Sequence, residues 1–261
     1  MRAAAATVLG AELMGQLENK VALVTGGASG LGAADAAKLA ERGARVVISD
    51  VAEAAGLKTT AAIPGSLFLQ HDVRDEDRWI AVIDEIRQRF GRLDILVNNA
   101  GICAYGTIEE TPLEQYRLIN AVISEGTFLG CKHAIPLMKA GGGGSIINVA
   151  SIAATRGFAP VTSYSAAKGA VLALTRTVAV HCSEQGYDIR CNVILPGAHD
   201  TPMTRAALVD GPEHEAGFDP IRLGLQGDPV DVANLVAFLA SDDSRRITGT
   251  SIVIDHGQTA K

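Results

Sequence analysis

The chain has 261 residues, of which 48% are hydrophobic and 4% aromatic, and its formal net charge is −6. It has no basic cluster, which argues against nucleic acid or an anionic membrane surface as a partner. No apolar run approaches the roughly 18 residues of a membrane span. The cysteines, Cys103, Cys131, Cys182 and Cys191, lack C-x-x-C spacing. We therefore expect reduced thiols, a cytoplasmic protein and no metal site.

A glycine-rich turn follows the first predicted strand. Residues 1–15 are interpreted as a flexible extension, after which residues 21–24 predict a buried strand and residues 33–42 a helix. The turn between them contains Gly26, Ser29, Gly30, Leu31 and Gly32. Glycine lets a backbone approach a pyrophosphate, and a helix N-terminus presents free N–H groups to it. The turn therefore predicts a phosphate cradle, although a plain turn has the same composition.

An acidic residue ends the second predicted strand. Residues 46–49 form another apolar run, and Asp50 follows them. A carboxylate about 20 residues beyond such glycines accepts hydrogen bonds from an adenosine ribose. It also repels a 2′-phosphate, which favours NAD over NADP. The alternative is an aspartate that caps the next helix.

Strand and helix patterns alternate along the rest of the chain. Strands are predicted at residues 67–69, 93–97, 145–150, 189–195 and 251–254, and helices at residues 75–91, 111–138, 163–183 and 228–239. Asp75 and Gly91 are expected to cap their helix, Trp79 to lie in the core, and residues 111–114 to form a capping box. This alternation predicts one α/β domain, residues 16–261, built on a doubly wound parallel sheet with ligands at the carboxyl ends of its strands.

The segment 204–227 is rich in glycine and proline and is predicted to be a mobile substrate lid. Phe218, Ile221 and Leu223 are expected to close an apolar pocket there. His199, just before the segment, is interpreted as a solvated loop residue, with contact to a polar substrate group as the alternative.

A serine, a tyrosine and a lysine form the predicted catalytic group. Ser151 follows the fifth strand, and Tyr164 and Lys168 lie four residues apart, on one face of a helix. A nearby cation, together with an oxidised nicotinamide ring, lowers the pKa of a phenol. Tyr164 is therefore the predicted general acid/base for an alcohol and its ketone, and Ser151 the donor to the substrate oxygen.

Together these motifs resemble the classical short-chain dehydrogenase/reductase family. The resemblance covers about residues 17–257 and is carried by residues 25–32 and 98–101, by Ser151, Tyr164 and Lys168, and by Pro196 and Gly197 followed by Thr201 and Met203. It implies a Rossmann-type domain, an NAD(P)-dependent alcohol/ketone oxidoreductase and a homotetramer.

The resemblance also implies which residues contact the cofactor. Asp72 and Val73 would flank the adenine, and Asn99 and Gly101 would line the adenosine side. Ala100 and Val122 would also contact the cofactor. Lys168, with Tyr164, would reach the nicotinamide ribose. Pro196, Gly197, Thr201 and Met203 would hold the nicotinamide end.

One position departs from the family pattern. In the family, an asparagine usually lies three residues before a glycine of the long helix and helps hold a water that relays protons. Here Ile123 occupies that position, three residues before Gly126. Asn120, one turn earlier, either substitutes for it or is an ordinary helix residue.

We therefore expect an NAD-dependent dehydrogenase of secondary alcohols, including cyclic or steroid-like alcohols. The alternatives are an NADP-linked carbonyl or 3-oxoacyl reductase and a dinucleotide-binding protein of low activity.

Overall fold

Seven parallel strands form one sheet in the order β3-β2-β1-β4-β5-β6-β7. The structure is a computed structural model that describes residues 16–210 and 226–260. The strands are β1 (Val21–Thr25), β2 (Arg45–Asp50), β3 (Leu67–Gln70), β4 (Ile95–Asn98), β5 (Gly144–Val149), β6 (Ile189–Pro196) and β7 (Ser251–Ile254). The predicted doubly wound α/β fold is confirmed.

Eight α-helices connect the strands within the described residues. They are α1 (Gly30–Glu41), α2 (Glu53–Ala62), α3 (Glu76–Phe90), α4 (Leu113–Asn120), α5 (Gly126–Ala140), α6 (Thr162–Glu184), α7 (Pro202–Asp210) and α8 (Pro229–Ala240). A π-helical turn, Ala121–Glu125, joins α4 to α5. Neither α2 nor α7 was predicted. The segment interpreted as a lid from residue 204 thus begins within a helix, while Phe218, Ile221 and Leu223 lie outside the described residues.

Several helix ends form as their residues predict. Asp75 accepts a hydrogen bond from the Arg78 N–H at 3.1 Å, and Gly91 ends α3 with φ 73°. Asp228 and Asp231 form a reciprocal capping box at the start of α8. The predicted capping box at residues 111–114 is wrong. Pro112, the residue before α4, provides no side-chain cap, and the Thr111 hydroxyl donates to the Thr107 carbonyl instead.

Apolar side chains form a core on each face of the sheet. Trp79 is fully buried in one core, as predicted, and its Nε1 donates to the Val73 carbonyl at 2.9 Å. The other core includes side chains of α1 and α8, which pack against each other. The chain reverses its direction of strand addition between β1 and β4, which are neighbours. In an open α/β sheet, the crevice at such a reversal is where ligands bind.

Candidate active site

The glycine-rich turn after β1 is locked against the loop after β4. The Thr25 hydroxyl accepts hydrogen bonds from the N–H groups of Asn99 and Ala100, both at 3.1 Å. The Asn99 amide in turn donates to the carbonyls of Thr25 and Gly26 at 3.0 and 3.1 Å. A Cβ on Gly26, whose φ is 63°, would lie 2.7 Å from the Ala100 Cα. Only glycine fits there, so the turn follows a fixed path into α1.

A cleft with a volume of about 490 Å³ opens above this turn. It is lined by nearly all of the residues proposed from the sequence for cofactor contact: Gly26, Ser29, Gly30, Leu31, Asp50, Asp72, Val73, Asn99, Ala100, Gly101, Val122, Tyr164, Lys168, Pro196, Gly197, Thr201 and Met203. Segments far apart in the sequence thus meet along one groove at the carboxyl ends of the strands. Gly32 is the exception.

Gly32 lies beneath the cleft and does not line it. A Cβ on Gly32 would collide with the Asn99 amide and the Gly26 carbonyl. Its lack of a side chain therefore allows α1 to pack closely against the turn and the loop after β4. The cleft is also lined by residues that the sequence did not single out, among them His71, Arg74, Leu118 and Val149. Of these, Leu118 had a detectable signal, because it lies one helical turn before Val122.

The end of the cleft beside the C-terminus of β2 is predominantly acidic. The two Asp50 carboxylate oxygens accept hydrogen bonds from the N–H groups of Ala28 at 3.1 Å and Ala52 at 2.9 Å, which orients the group at the end of β2. Arg74 also lines this end, but its guanidinium makes a two-point ion pair with Asp72, with contacts of 2.6 to 3.0 Å. The ion pair lowers the pKa of the Asp72 carboxyl, chiefly through the hydrogen bond from Arg74.

Ser151, Tyr164 and Lys168 converge at the other end of the cleft. Ser151 follows β5 and caps a short 3₁₀ turn, where its Oγ accepts from the Ala153 N–H at 3.2 Å. Ser151 also acts to lower the pKa of the Tyr164 phenol. Lys168 lies one turn further along α6, with its Nζ 5.5 Å from the centre of the Tyr164 ring and 2.7 Å from the Val149 carbonyl oxygen, to which it donates. The helix spacing predicted from the sequence therefore brings these groups together.

Burial shifts the pKa values of both titrating groups toward their neutral forms. Desolvation raises the pKa of the Tyr164 phenol, with a contribution from Cys103, and outweighs the opposing effect of Ser151. Desolvation lowers the pKa of Lys168 to about 8, although Cys103 acts to raise it. In the chain alone, desolvation dominates the pKa of the phenol, and the predicted joint effect of the lysine and an oxidised nicotinamide ring stays a prediction.

Ile123 lies in the π-helical turn and is 1% exposed. A Cβ on Gly101 would lie 3.5 Å from Lys168 Nζ and 3.7 Å from Ile123 Cγ1, so both side chains border this glycine. The Asn120 amide donates to the Tyr116 carbonyl of its own helix at 2.8 Å. Asn120 is also absent from the residues that line the cleft. The structure thus favours Asn120 as an ordinary helix residue over Asn120 as the substitute.

A second cavity of about 530 Å³, here called the chamber, meets the cleft at Ser151 and Tyr164. Its lining consists of Cys103, Ala104, Tyr105, Ser151, Ile152, Ala153, Phe158, Tyr164, Gly197, Ala198, Met203, Thr204, Ala206 and Gln258. No motif in the sequence pointed to Cys103 or Phe158, because loops from different parts of the chain bring them to the predicted catalytic residues. A parallel bridge between Gly106 and Val161 ties two of these loops together.

His199 is not the solvated residue that the sequence suggested. It is 4% exposed, and its Nδ1 lies 3.1 Å from the Gly197 carbonyl. Its ring covers Gly227, where a Cβ would lie 2.6 Å from the His199 Cδ2. The imidazole therefore packs the loop after β6 against the residues that precede α8.

The described residues form no helix long and apolar enough to cross a bilayer. A family model described as enoyl-(acyl carrier protein) reductase matches residues 26–259. The chain belongs to the short-chain dehydrogenase/reductase family.

Relatives with curated names are dehydrogenases of alcohols. The chain is 41% identical to trans-4-hydroxycyclohexanecarboxylate dehydrogenase of Sinomonas cyclohexanicum, over 94% of this chain and 95% of that protein. It is 42% identical to 3-beta-hydroxysteroid dehydrogenase of Comamonas testosteroni, over 92% and 96%. It is 38% identical to the NADP-dependent (R)-specific alcohol dehydrogenase of Lentilactobacillus kefiri, over 94% and 99%.

Proposed function

We propose that the protein is an NAD-dependent oxidoreductase that interconverts a secondary alcohol and its ketone. The observation that carries the proposal is the position of Ser151, Tyr164 and Lys168, since the first two line both cavities and the third lies in the cleft wall beside them. A dinucleotide in the cleft and an alcohol in the chamber would thus meet at the hydroxyls of Ser151 and Tyr164. The dehydrogenase activities named for the relatives support this reaction class.

Three features of the cleft fit a dinucleotide. Its volume lies in the range of small-molecule sites, about 300–1,000 Å³. Ser29 precedes α1 without capping it through its side chain, so that N–H groups at the helix start remain available to a pyrophosphate. The Asp50 carboxylate lines the cleft, where it would accept hydrogen bonds from ribose hydroxyls. When bound, the nicotinamide accepts or returns the hydride.

The residues of the chain handle the proton. The Tyr164 hydroxyl takes the proton from the substrate hydroxyl during oxidation and returns it to the carbonyl oxygen during reduction. Ser151 orients that oxygen by a hydrogen bond. Because burial keeps the Tyr164 phenol protonated in the chain alone, we infer that a bound positive nicotinamide and the Lys168 ammonium together stabilise the phenolate.

Tyr164→Phe tests this proton step. We expect kcat to fall by about 10²–10⁴-fold, with little change in the Kd for NADH measured by fluorescence titration. Tyr187→Phe is the matched control, because the Tyr187 hydroxyl contacts Lys139 at 3.2 Å, away from the site. Near-normal kcat in Tyr164→Phe would remove the basis of the proposal.

The preference for NAD rests on charge at the adenosine end. Two like charges 4 Å apart repel each other by about 1 kcal/mol in bulk water and by about 4 kcal/mol near a protein surface. We therefore expect kcat/KM to favour NAD over NADP by about 10-fold or more. The Asp50→Ala variant should reduce this preference and Asp50→Arg should reduce it further. Equal kcat/KM values with the two cofactors in the unmodified protein would contradict the assignment.

NADP dependence is the second candidate, because the relative from Lentilactobacillus kefiri is named as NADP-dependent. Arg74 is the basic side chain that lines the described cleft near Asp50, and it is already paired with Asp72. This pairing supports NAD as the first choice.

We also propose that the protein forms a homotetramer, as the family resemblance implies. Phe128 of α5 and Val180 of α6 support this, since they are large apolar side chains that are 50% and 54% exposed in the single chain. Light scattering after size exclusion tests the subunit number.

A further inference from the structure

We propose that the chamber selects neutral, ring-bearing secondary alcohols and discriminates against alcohols that carry a carboxylate. The inference rests on the proposed function, because it concerns the substrate of the same site.

The chamber wall is apolar on both sides of the reacting hydroxyls. Ala104, Ile152, Ala153, Phe158, Ala198 and Met203 contribute aliphatic or aromatic surface. No charged side chain is among the described residues that line it. The Thr204 hydroxyl is engaged, because it donates to the His199 carbonyl. Such a wall stabilises a hydrocarbon ring by burying apolar surface and offers little to an ion.

Three described cations lie close in sequence or by contact to residues that line the chamber, and each has a hydrogen-bond partner. Lys168 lines the cleft and not the chamber, and its Nζ donates to the Val149 carbonyl. Arg156, exposed at the rim, donates to the main-chain carbonyl of Gln258 at 2.6 Å. Arg205 pairs with the Asp200 carboxylate through contacts of 2.7 and 2.8 Å. Arg205 is paired with a carboxylate, whereas Lys168 and Arg156 are bonded to neutral main-chain carbonyls. None of the three is among the described residues that line the chamber, so they give a carboxylate inside it no direct counter-ion.

An anion lies directly behind the chamber wall. A Cβ on Gly197, a lining residue, would lie 2.8 Å from the Asp255 Cβ. The Asp255 carboxylate accepts hydrogen bonds from Thr259 and from the Gly257 N–H. Burial acts to raise the pKa of this carboxyl, but these bonds outweigh it and hold the pKa below its usual value. The group is therefore ionised at neutral pH and adds repulsion toward a second carboxylate.

The physical consequence is selectivity by charge. A carboxylate entering the chamber gives up its hydration without gaining a counter-ion, which is the costliest form of polar burial. A neutral ester of the same ring gives up far less. The named substrates of two relatives differ in this respect, since one is a hydroxycyclohexanecarboxylate and the other a hydroxysteroid. The described chamber fits the neutral class.

A matched pair of compounds tests the inference. We would compare trans-4-hydroxycyclohexanecarboxylate with its methyl ester, because both present the same ring and hydroxyl and differ in charge. We expect kcat/KM with NAD to be about 100-fold or more higher for the ester, given the cost of burying an unpaired polar group. We also expect a lower Kd for the ester by calorimetry in the presence of NADH.

The two measurements separate the inference from the function. Equal or better binding of the acid would overturn the inference, and so would the absence of binding by either compound. If the ester binds more tightly but is not turned over with NAD or NADP, the inference holds and the proposed function fails.

Phe158→Lys and Phe158→Gln provide the matched variants. The lysine adds a cation to the chamber wall, whereas the glutamine changes size and polarity without charge. We expect the acid-to-ester ratio of kcat/KM and of binding constants to rise about 10-fold in Phe158→Lys relative to Phe158→Gln. An unchanged ratio would overturn the assignment of the chamber to the ring substituent.

Discussion

Asp35 is a buried carboxyl group without a hydrogen-bonding partner. It lies on α1 with no exposed surface, and both of its oxygens are buried and unbonded. Desolvation alone raises its pKa well above the usual value. The elements packed on α1 provide no hydrogen bond to either Asp35 oxygen. The acid of α8, Asp231, is engaged in a capping box, and Asp50 at the end of β2 accepts from two N–H groups.

Asp35→Ala should therefore stabilise the protein. Burying an unsatisfied polar group costs about 1–3 kcal/mol in proteins, and alanine also has a better helix propensity than aspartate, by at most about 0.7 kcal/mol. The small space left by the carboxyl offsets part of this gain. We expect the free energy of unfolding to rise by about 1–3 kcal/mol at neutral pH, which corresponds to about 2–4 °C in Tm for each kcal/mol in a chain of this size.

The gain should depend on pH in one direction. Because the folded-state pKa is raised, the native chain keeps a proton that the unfolded chain releases above its ordinary pKa. The stability that this proton provides is complete at low pH and is lost as pH rises toward the folded-state pKa, by about 1.4 kcal/mol per pH unit.

Thermal melts by circular dichroism at pH 5 and pH 8 measure this dependence. The Tm difference between Asp35→Ala and the unmodified protein should be larger at pH 8. Asp35→Asn should show the same trend with a smaller gain, since its amide stays unpaired. Asp77→Asn, at an exposed position, is the control for loss of one charge. A lower Tm for Asp35→Ala at pH 8, or a difference independent of pH, would refute this reasoning.

Three further predictions concern the active site. Ile123→Asn should raise kcat where proton release limits the rate, because an amide at this position would lie on the same side of Gly101 as Lys168. An unchanged kcat and pH–rate profile in the folded variant would show that an asparagine at this position is dispensable. N-ethylmaleimide should inactivate the native protein by modifying Cys103, the solvent-accessible member of four free cysteines. The reaction should be slow at neutral pH, because desolvation of the thiol in the chamber wall raises its pKa. Inactivation that persists in Cys103→Ala would point to another target. Lys168→Met should abolish turnover yet raise Tm at pH 7, since burial lowers the pKa of Lys168 to about 8 and disfavours its charged form in the fold. This Tm gain should shrink between pH 8 and pH 10.5, where the unmodified protein gains stability as the lysine deprotonates, and a gain that grows with pH would contradict the assignment.

The local patterns of the sequence were sufficient for the fold and for much of the candidate site. Alternating strand and helix patterns determine a parallel sheet, and in such a sheet the strand ends meet at one edge. That rule alone brings the turn at Gly26, Asp50 and the Asn99 loop to one cleft. The i, i+4 spacing of Tyr164 and Lys168 likewise fixes a shared helix face, whatever the rest of the fold does.

Tertiary packing decided what no local pattern encodes. The lock between Thr25 and Asn99 depends on the contact of two loops that are 74 residues apart. Burial of His199 and Asp35 depends on which elements pack over them. Hydrophobic periodicity shows which face of a helix or strand is apolar, but it does not show which other element packs on that face. The chamber beside Ser151 forms where separate loops meet. Its lining, which has no cation among the described residues, therefore depends on how these loops pack and not on their spacing in the sequence. The sequence alone therefore indicated the reaction class, whereas the arrangement of side chains in the chamber supplied the argument for the charge of the substrate.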